Sequence, residues 1–257
     1  MKIRQWALVL PLALFSLCAG ASDLAKEKRW ADQIVDDLID GDALWLEARG
    51  VEFLSIYTPA QEPAKGSVIL MHGVGVHPNW PQVIYPLRVQ LAERGWHTLS
   101  LQMPILANEA GTEEYLPLMD EVAPRIEAGV AALKDKGLTE LFLIGHSLGT
   151  GMARHYLIRS NRPEIKGLVA IGMQVNREYP DLNSLEALAN ISIPVLDLYG
   201  EHDLAEVLDS AADRKRAGES GNSAYSQVMV PGADHFFDGS EALLVNSVEN
   251  WLSEHSR

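Results

Sequence analysis

The chain has 257 residues, 47% of them hydrophobic, with 35 acidic against 21 basic residues and a formal net charge of -14. So acidic a surface repels nucleic acid and anionic membranes at long range, which excludes a partner held mainly through phosphates. A single cysteine, Cys18, and eight histidines scattered without H-E-x-x-H or Cys/His zinc spacing exclude a disulfide framework and predict no metal.

The first residues read as an export signal. Lys2 and Arg4 precede an apolar run from Trp6 to Leu17, and Cys-Ala-Gly-Ala-Ser22 follows with a small-residue A-x-A pattern. Cleavage after Ala21 is expected, making 1–21 a signal peptide and 22–257 the mature domain, in a periplasmic or secreted location. Lipidation of Cys18 is the rival, but Leu17 stands where a lipobox wants a small residue. The apolar run is short for a bilayer span, so no stable membrane insertion is expected after cleavage. Loss of Lys2 and Arg4, with no acid lost, takes the charge from -14 to -16.

From 23 to 40, Leu24, Ala31, Ile34, Val35 and Leu38 recur at helical spacing and stop at Gly41. This predicts an amphipathic N-terminal helix (22–41) packed on a core spanning 42–257. Residues 44–57, broken by Arg49-Gly50, predict a β-hairpin. Strands and helices then alternate. Strands are predicted over 67–71, 97–101, 141–144, 167–171, 194–198 and 226–230. Helices are predicted near 82–93 and 121–136, then over 148–158, 205–217 and 242–254. Such alternation argues for one α/β domain whose mostly parallel central sheet is covered by helices on both faces. Asn190-Ile-Ser192 fits a glycosylation sequon but abuts a predicted core strand.

Chemistry concentrates at four strand ends. Leu141-Phe-Leu-Ile-Gly-His-Ser-Leu-Gly149 reads as a strand delivering Ser147 into a sharp turn before a helix, the nucleophile elbow, with His146 beside the serine and Gly145 and Gly149 lacking bulk where the chain crowds itself. With Gly and Ser each near about 7% of residues, such a pentapeptide arises by chance in roughly one chain in ten. Order and context carry the assignment. Pro194-Val-Leu-Asp-Leu-Tyr-Gly-Glu-His-Asp203 is a strand ending in a carboxylate, and Val228-Met-Val-Pro-Gly-Ala-Asp-His235 is one ending in a histidine. Upstream, Ser67-Val-Ile-Leu-Met-His-Gly-Val-Gly75 runs into an H-G-x-G turn whose Val74 N–H can pair with the Leu148 N–H as an oxyanion hole.

The order Ser, Asp, His, together with the H-G-x-G turn, resembles the α/β-hydrolase superfamily over nearly the whole length after the N-terminus. His72-Gly-Val-Gly-Val-His-Pro-Asn-Trp80 through Gly95-Trp-His-Thr-Leu-Ser-Leu-Gln-Met-Pro104 is also similar to a group of exported bacterial members. The resemblance implies a serine hydrolase of carboxylic esters or thioesters, with Ser147 as nucleophile, His235 as base, Asp203 orienting it, a small-molecule acyl substrate and no cofactor. Asp203 can instead be a helix N-cap, in which case Glu201, Glu178 or Asp181 becomes the acid. Two loops can shape the pocket, 102–119 and 173–190, the second too short for the large cap domain many members carry. His72 and His146 are expected to be structural, His146 on the far side of the turn, while His77, Trp80 and Tyr115 are candidate pocket residues. The competing reading is a catalytically silent binding or envelope-assembly protein that keeps the fold.

Overall fold

A computed structural model describes residues 22–175 and 184–256. The expected signal segment, Ala21 and the candidate acids Glu178 and Asp181 lie outside the described residues. The elements are α1 (Leu24–Asp36), β1 (Asp42–Ala48), β2 (Val51–Thr58), β3 (Gly66–Met71), α2 (Ile84–Glu93), β4 (Trp96–Leu101) and a 3-10 helix (Thr112–Leu118). There follow α3 (Met119–Asp135), β5 (Leu141–His146), α4 (Leu148–Leu157), β6 (Ile165–Ile171), α5 (Ser184–Asn190), β7 (Val195–His202), α6 (Ala205–Gly221), β8 (Tyr225–Asp234) and α7 (Glu241–His255).

The strands form one eight-stranded sheet in the order β1-β2-β4-β3-β5-β6-β7-β8. The β1-β2 and β2-β4 pairs are antiparallel and all later pairs are parallel. Strands β3 and β5 to β7 are covered on both faces and so read as apolar runs, with alternate residues serving opposite layers. Ile69, Leu143 and Leu168 face α3 and α4 through Ile126, Val130, Met152 and Tyr156. Val68, Phe142, Ile144 and Val169 face α2 and α7 through Leu87, Leu91, Val248 and Trp251. The strand order runs outward in both directions from β3, so the loops after β3 and β5 diverge there and open a crevice at the C-terminal edge of the sheet.

The predicted elements agree in kind and differ in extent. Strands β7 and β8 run on to His202 and Asp234, because a bulge between Gly200 and His202 keeps them paired past the apolar stretch. Helix α1 stops at Asp36 and is capped by the Asp23 carboxylate, which accepts the Lys26 N–H at 2.9 Å. Its inner face is the expected one only in part. Ala31 and Ile34 pack on Leu54 and Ile56, whereas Leu24 and Val35 are exposed. Two charged residues are buried instead: Lys26 Nζ donates to Leu106 O and Asn108 Oδ1, and Glu27 pairs with Arg125 at 2.9 Å. The 102–119 stretch does not shape the cleft. Met103, Ile105, Tyr115, Leu118 and Met119 fill the core, and the Tyr115 hydroxyl accepts the Leu106 N–H.

Candidate active site

Ser147 joins β5 to α4 with φ 53° and ψ -121°, a conformation that L-residues adopt only under constraint. The constraint is visible in the neighbours. A Cβ on Gly145 would lie 2.5 Å from the Gly149 carbonyl oxygen, and one on Gly149 would collide with the Met71 carbonyl oxygen. The Ser147 N–H donates to Ile171 O at 2.9 Å, and its carbonyl accepts both the N–H and the hydroxyl of Thr150. Backbone bonds on either side therefore hold the turn.

His235 lies at the end of β8, 5% exposed, with Nδ1 2.6 Å from Asp203 Oδ1. Asp203 also accepts the Leu204 N–H at 2.8 Å and the Gly200 N–H at 3.1 Å. Burial works to raise its carboxyl, but the His235 bond and charge and the two N–H donors outweigh it and hold the group below the usual carboxylate range. Glu201, the neighbouring candidate, turns away to accept the Gly232 N–H at 2.8 Å. Asp203 is not the cap of α6: the N-cap is Leu204, and the helix has no side-chain cap bond. Gly172, with φ 61°, backs the imidazole so closely that a Cβ there would sit 2.8 Å from His235 Cε1.

His146 borders the cleft, contrary to the expectation that it lies on the far side of the turn. Its ring centroid is 4.9 Å from that of His235, and its Nε2–H donates to the His235 carbonyl at 3.0 Å. Burial, with His235 alongside, pulls its pKa down to about 4. It is thus a neutral strut under the His235 backbone. His72 is likewise a neutral brace: Nδ1–H donates to Gly73 O at 2.9 Å while Nε2 accepts the Met103 N–H at 2.9 Å. Burial lowers its pKa to about 3. It ties the turn after β3 to the turn after β4 and so fixes the backbone at Gly73 and Val74.

Both proposed oxyanion donors border the cleft. The Leu148 N–H is at the first position of α4, where no intrahelical acceptor exists, and the helix N-terminus favours negative charge there. The cleft encloses about 680 Å³ and is bordered by Ser147 and His235 together with Val74, Trp80, Leu204 and Phe236. Val74, Leu204 and Phe236 are about two-fifths exposed, which gives the rim an apolar character. Of the candidate aromatics only Trp80 belongs here. His77 packs edge-on between Trp30 and Trp80 at a separate groove, and Tyr115 is in the core. Gln174 and Val175 supply one wall.

Sequence reasoning missed Gly172, Leu204, Phe236 and Arg154, which also border the cleft or the imidazole. Arg154 alone left a trace, recurring at helical spacing from Leu148 through Gly151. Among the described residues no group of three or more His, Cys, Asp or Glu side chains could hold a metal ion, and no helix is long and apolar enough to cross a membrane.

A family described as "Protein of unknown function (DUF3530)" matches residues 21–117 and 108–254. The chain belongs to this family. Several solved structures share its architecture. Est1E from Butyrivibrio proteoclasticus is 17% identical at a TM-score of 0.64, covering 84% of this chain and 99% of its own. Dienelactone hydrolase from Anabaena variabilis is 24% identical at 0.66, covering 85% and 99%. A soluble variant of monoglyceride lipase from Saccharomyces cerevisiae is 15% identical at 0.67, covering 85% and 96%. At these identities the likeness establishes the α/β-hydrolase fold, which this DUF3530 protein shares. No curated protein matches it.

Proposed function

We propose that this DUF3530 protein is a serine hydrolase that cleaves carboxylic ester or thioester bonds of small acyl substrates. One observation carries the reading: Ser147, held at φ 53°, borders the same cleft as His235, whose Nδ1 is 2.6 Å from Asp203. In the reaction Ser147 Oγ attacks the acyl carbonyl carbon and its proton passes to His235 Nε2. The oxyanion is received by the Val74 and Leu148 N–H groups. Collapse then expels the alcohol or thiol, which takes the proton from His235, and leaves an acyl-serine. Water repeats the sequence, with His235 accepting its proton, and releases the acid. Asp203 keeps the Nδ1 proton in place and stabilises the imidazolium. A solved structure of Est1E holds ferulic acid, in keeping with a small-molecule acyl ligand for this fold.

Export belongs to the same proposal. The A-x-A pattern ending at Ala21 predicts Ser22 as the mature N-terminus, and Ser22 is 6% exposed, with its backbone N donating to Glu121 Oε1 at 3.1 Å. An amine released there would meet a carboxylate.

Labelling by a fluorophosphonate tests the hydrolase reading. Wild-type protein should label and Ser147→Ala should not, while both keep the same circular dichroism. A panel of 4-nitrophenyl esters of graded chain length then reads acyl preference. Wild type that neither labels nor hydrolyses any ester would favour the silent binding protein.

A further inference from the structure

Arg154 lies on α4 seven residues after Ser147, is 3% exposed, and borders the cleft that holds Ser147. Its Nη1 is buried without a hydrogen-bond partner among the described residues. The acid that acts on it, Asp197, is shared: Asp197 Oδ2 accepts Arg214 Nε at 2.8 Å, the Tyr225 hydroxyl at 2.7 Å and Gln227 Nε2 at 2.9 Å, while Oδ1 is buried and accepts no hydrogen bond from Arg154 or any other described residue. Asp197 and Arg214 are both fully buried. Among the described residues, two buried guanidinium groups therefore share one buried carboxylate, which leaves net positive charge beside the candidate active site. Burial pulls the Arg154 pKa down to about 9, which still leaves it cationic at neutral pH. An unpaired buried cation is expensive to keep, and structure alone gives no return for it.

The helix supplies a path from serine to cation. Residues 148, 151 and 154 recur on one face, and Gly151 interposes no side chain. Seven residues of helix rise about 10 Å, and helical side chains lean back toward the N-terminus, which brings the guanidinium nearer to Ser147 than its Cα is. Glu206 borders the outer part of the cleft and opposes an anion, but it is exposed, and solvent screens it far more than it screens a group inside.

We infer that Arg154 is a specificity-determining residue that receives a carboxylate of the substrate, so that the preferred substrates are esters or thioesters bearing a carboxylate a short chain away from the scissile carbonyl. This deepens the hydrolase proposal and rests on Ser147 as its nucleophile. The carboxylate can belong to the acyl or the leaving group, and paired substrates separate the two. Mono-4-nitrophenyl glutarate against 4-nitrophenyl butyrate tests the acyl side, and 4-acetoxybenzoate against its methyl ester tests the leaving-group side.

For wild type, kcat/KM should favour the carboxylate member of one pair by about 10- to 100-fold, the range for hydrogen bonds to a charged group. In Arg154→Met that ratio should fall to near one, and the variant should unfold at an equal or higher denaturant concentration because it no longer buries an unpaired charge. Arg154→Lys should retain part of the ratio, which covers the case that the Met variant does not fold. Binding is read separately on Ser147→Ala protein, where monomethyl glutarate should raise the melting temperature and lose that effect when Arg154→Met is added. If wild type hydrolyses neutral esters, favours neither carboxylate and is not stabilised by monomethyl glutarate, this inference is overturned and the hydrolase stands. A preference that survives Arg154→Met also overturns it. Stabilisation by monomethyl glutarate with no ester hydrolysed would sink the hydrolase proposal while leaving the carboxylate site in place.

Discussion

Asp203 and His235, separated by 32 residues in sequence, meet at 2.6 Å across the ends of β7 and β8, and the same carboxylate accepts the N–H groups of Gly200 and Leu204. Three donors converge on one buried acid. They keep it ionised against the cost of burial, so a negative charge faces the imidazole edge on which a cation would form.

Asp203→Asn should remove that charge while preserving the shape. Turnover should fall by about 10⁴-fold with KM little changed, since the amide favours the wrong imidazole tautomer but leaves the cleft intact. Steady-state kinetics on a 4-nitrophenyl ester measures this. Near wild-type turnover in Asp203→Asn, alongside inactivity in Glu178→Gln or Asp181→Asn, would move the acid to the preceding loop.

Val74 acts in the proposed reaction through its N–H alone. Val74→Ala should therefore stay within a few-fold of wild type, whereas Val74→Pro, which removes the donor, should lose about 10²- to 10³-fold in kcat. Because proline can also disturb the turn, the two variants are compared only if their circular dichroism and melting temperatures agree. Equal activity in the pair rules out this oxyanion hole.

Stability should decline as pH falls below neutrality. His72, His77 and His146 have pKa values lowered to about 3, 4 and 4 by burial, while the unfolded chain titrates near about 6.5. Between those values the unfolded state binds protons that the folded state refuses. The stability these residues contribute is thus complete above about pH 6.5 and is lost on the way down, at up to about 1.4 kcal/mol per pH unit for each histidine. Burial raises the Glu27 carboxyl, which acts in the opposite sense, so the contribution of a histidine is read as the difference in slope between wild type and its variant. Urea unfolding midpoints from pH 7 to 5 provide the check. His72→Asn should flatten the slope even as it lowers stability, and a midpoint constant from pH 7 to 5 would contradict this account.

The mature protein should begin at Ser22, as read by intact mass of envelope-fraction protein. Its new ammonium would face Glu121, which already accepts the Ser22 backbone N at 3.1 Å and the Ser22 hydroxyl at 2.8 Å beside Arg125. Glu121→Gln should then destabilise the mature form by about 1.5–3 kcal/mol, the range for a charged hydrogen bond, and the uncleaved chain by less. Detection of a lipid-modified Cys18 or of a retained Met1 would refute the cleavage site.

Much of this protein was legible in its sequence. The strands covered on both faces are apolar runs, the helices repeat every three or four residues, and the turn chemistry around Gly145 and Gly149 needs only local geometry. Ser147, Asp203 and His235 could be singled out because each closes a predicted strand. The inner face of α1 could be read only in part, since hydrophobicity picked out the packed Ala31, Ile34 and Leu38 but also the exposed Leu24 and Val35, and ion pairing buried Glu27 against Arg125 from a distant helix.

What only the tertiary structure decided concerns distances between residues far apart in the chain. Sequence left Asp203, Glu201, Glu178 and Asp181 as rivals. The fold brings Asp203 to His235 and turns Glu201 toward Gly232. It also brings His146 under the His235 backbone, and it buries Arg154 with Nη1 unpartnered among the described residues. An arginine in a helix looks like any solvated residue until neighbouring elements close over it. The physical reason is general: spacing along the chain encodes local conformation, whereas burial and charge pairing depend on which elements the sheet order makes neighbours.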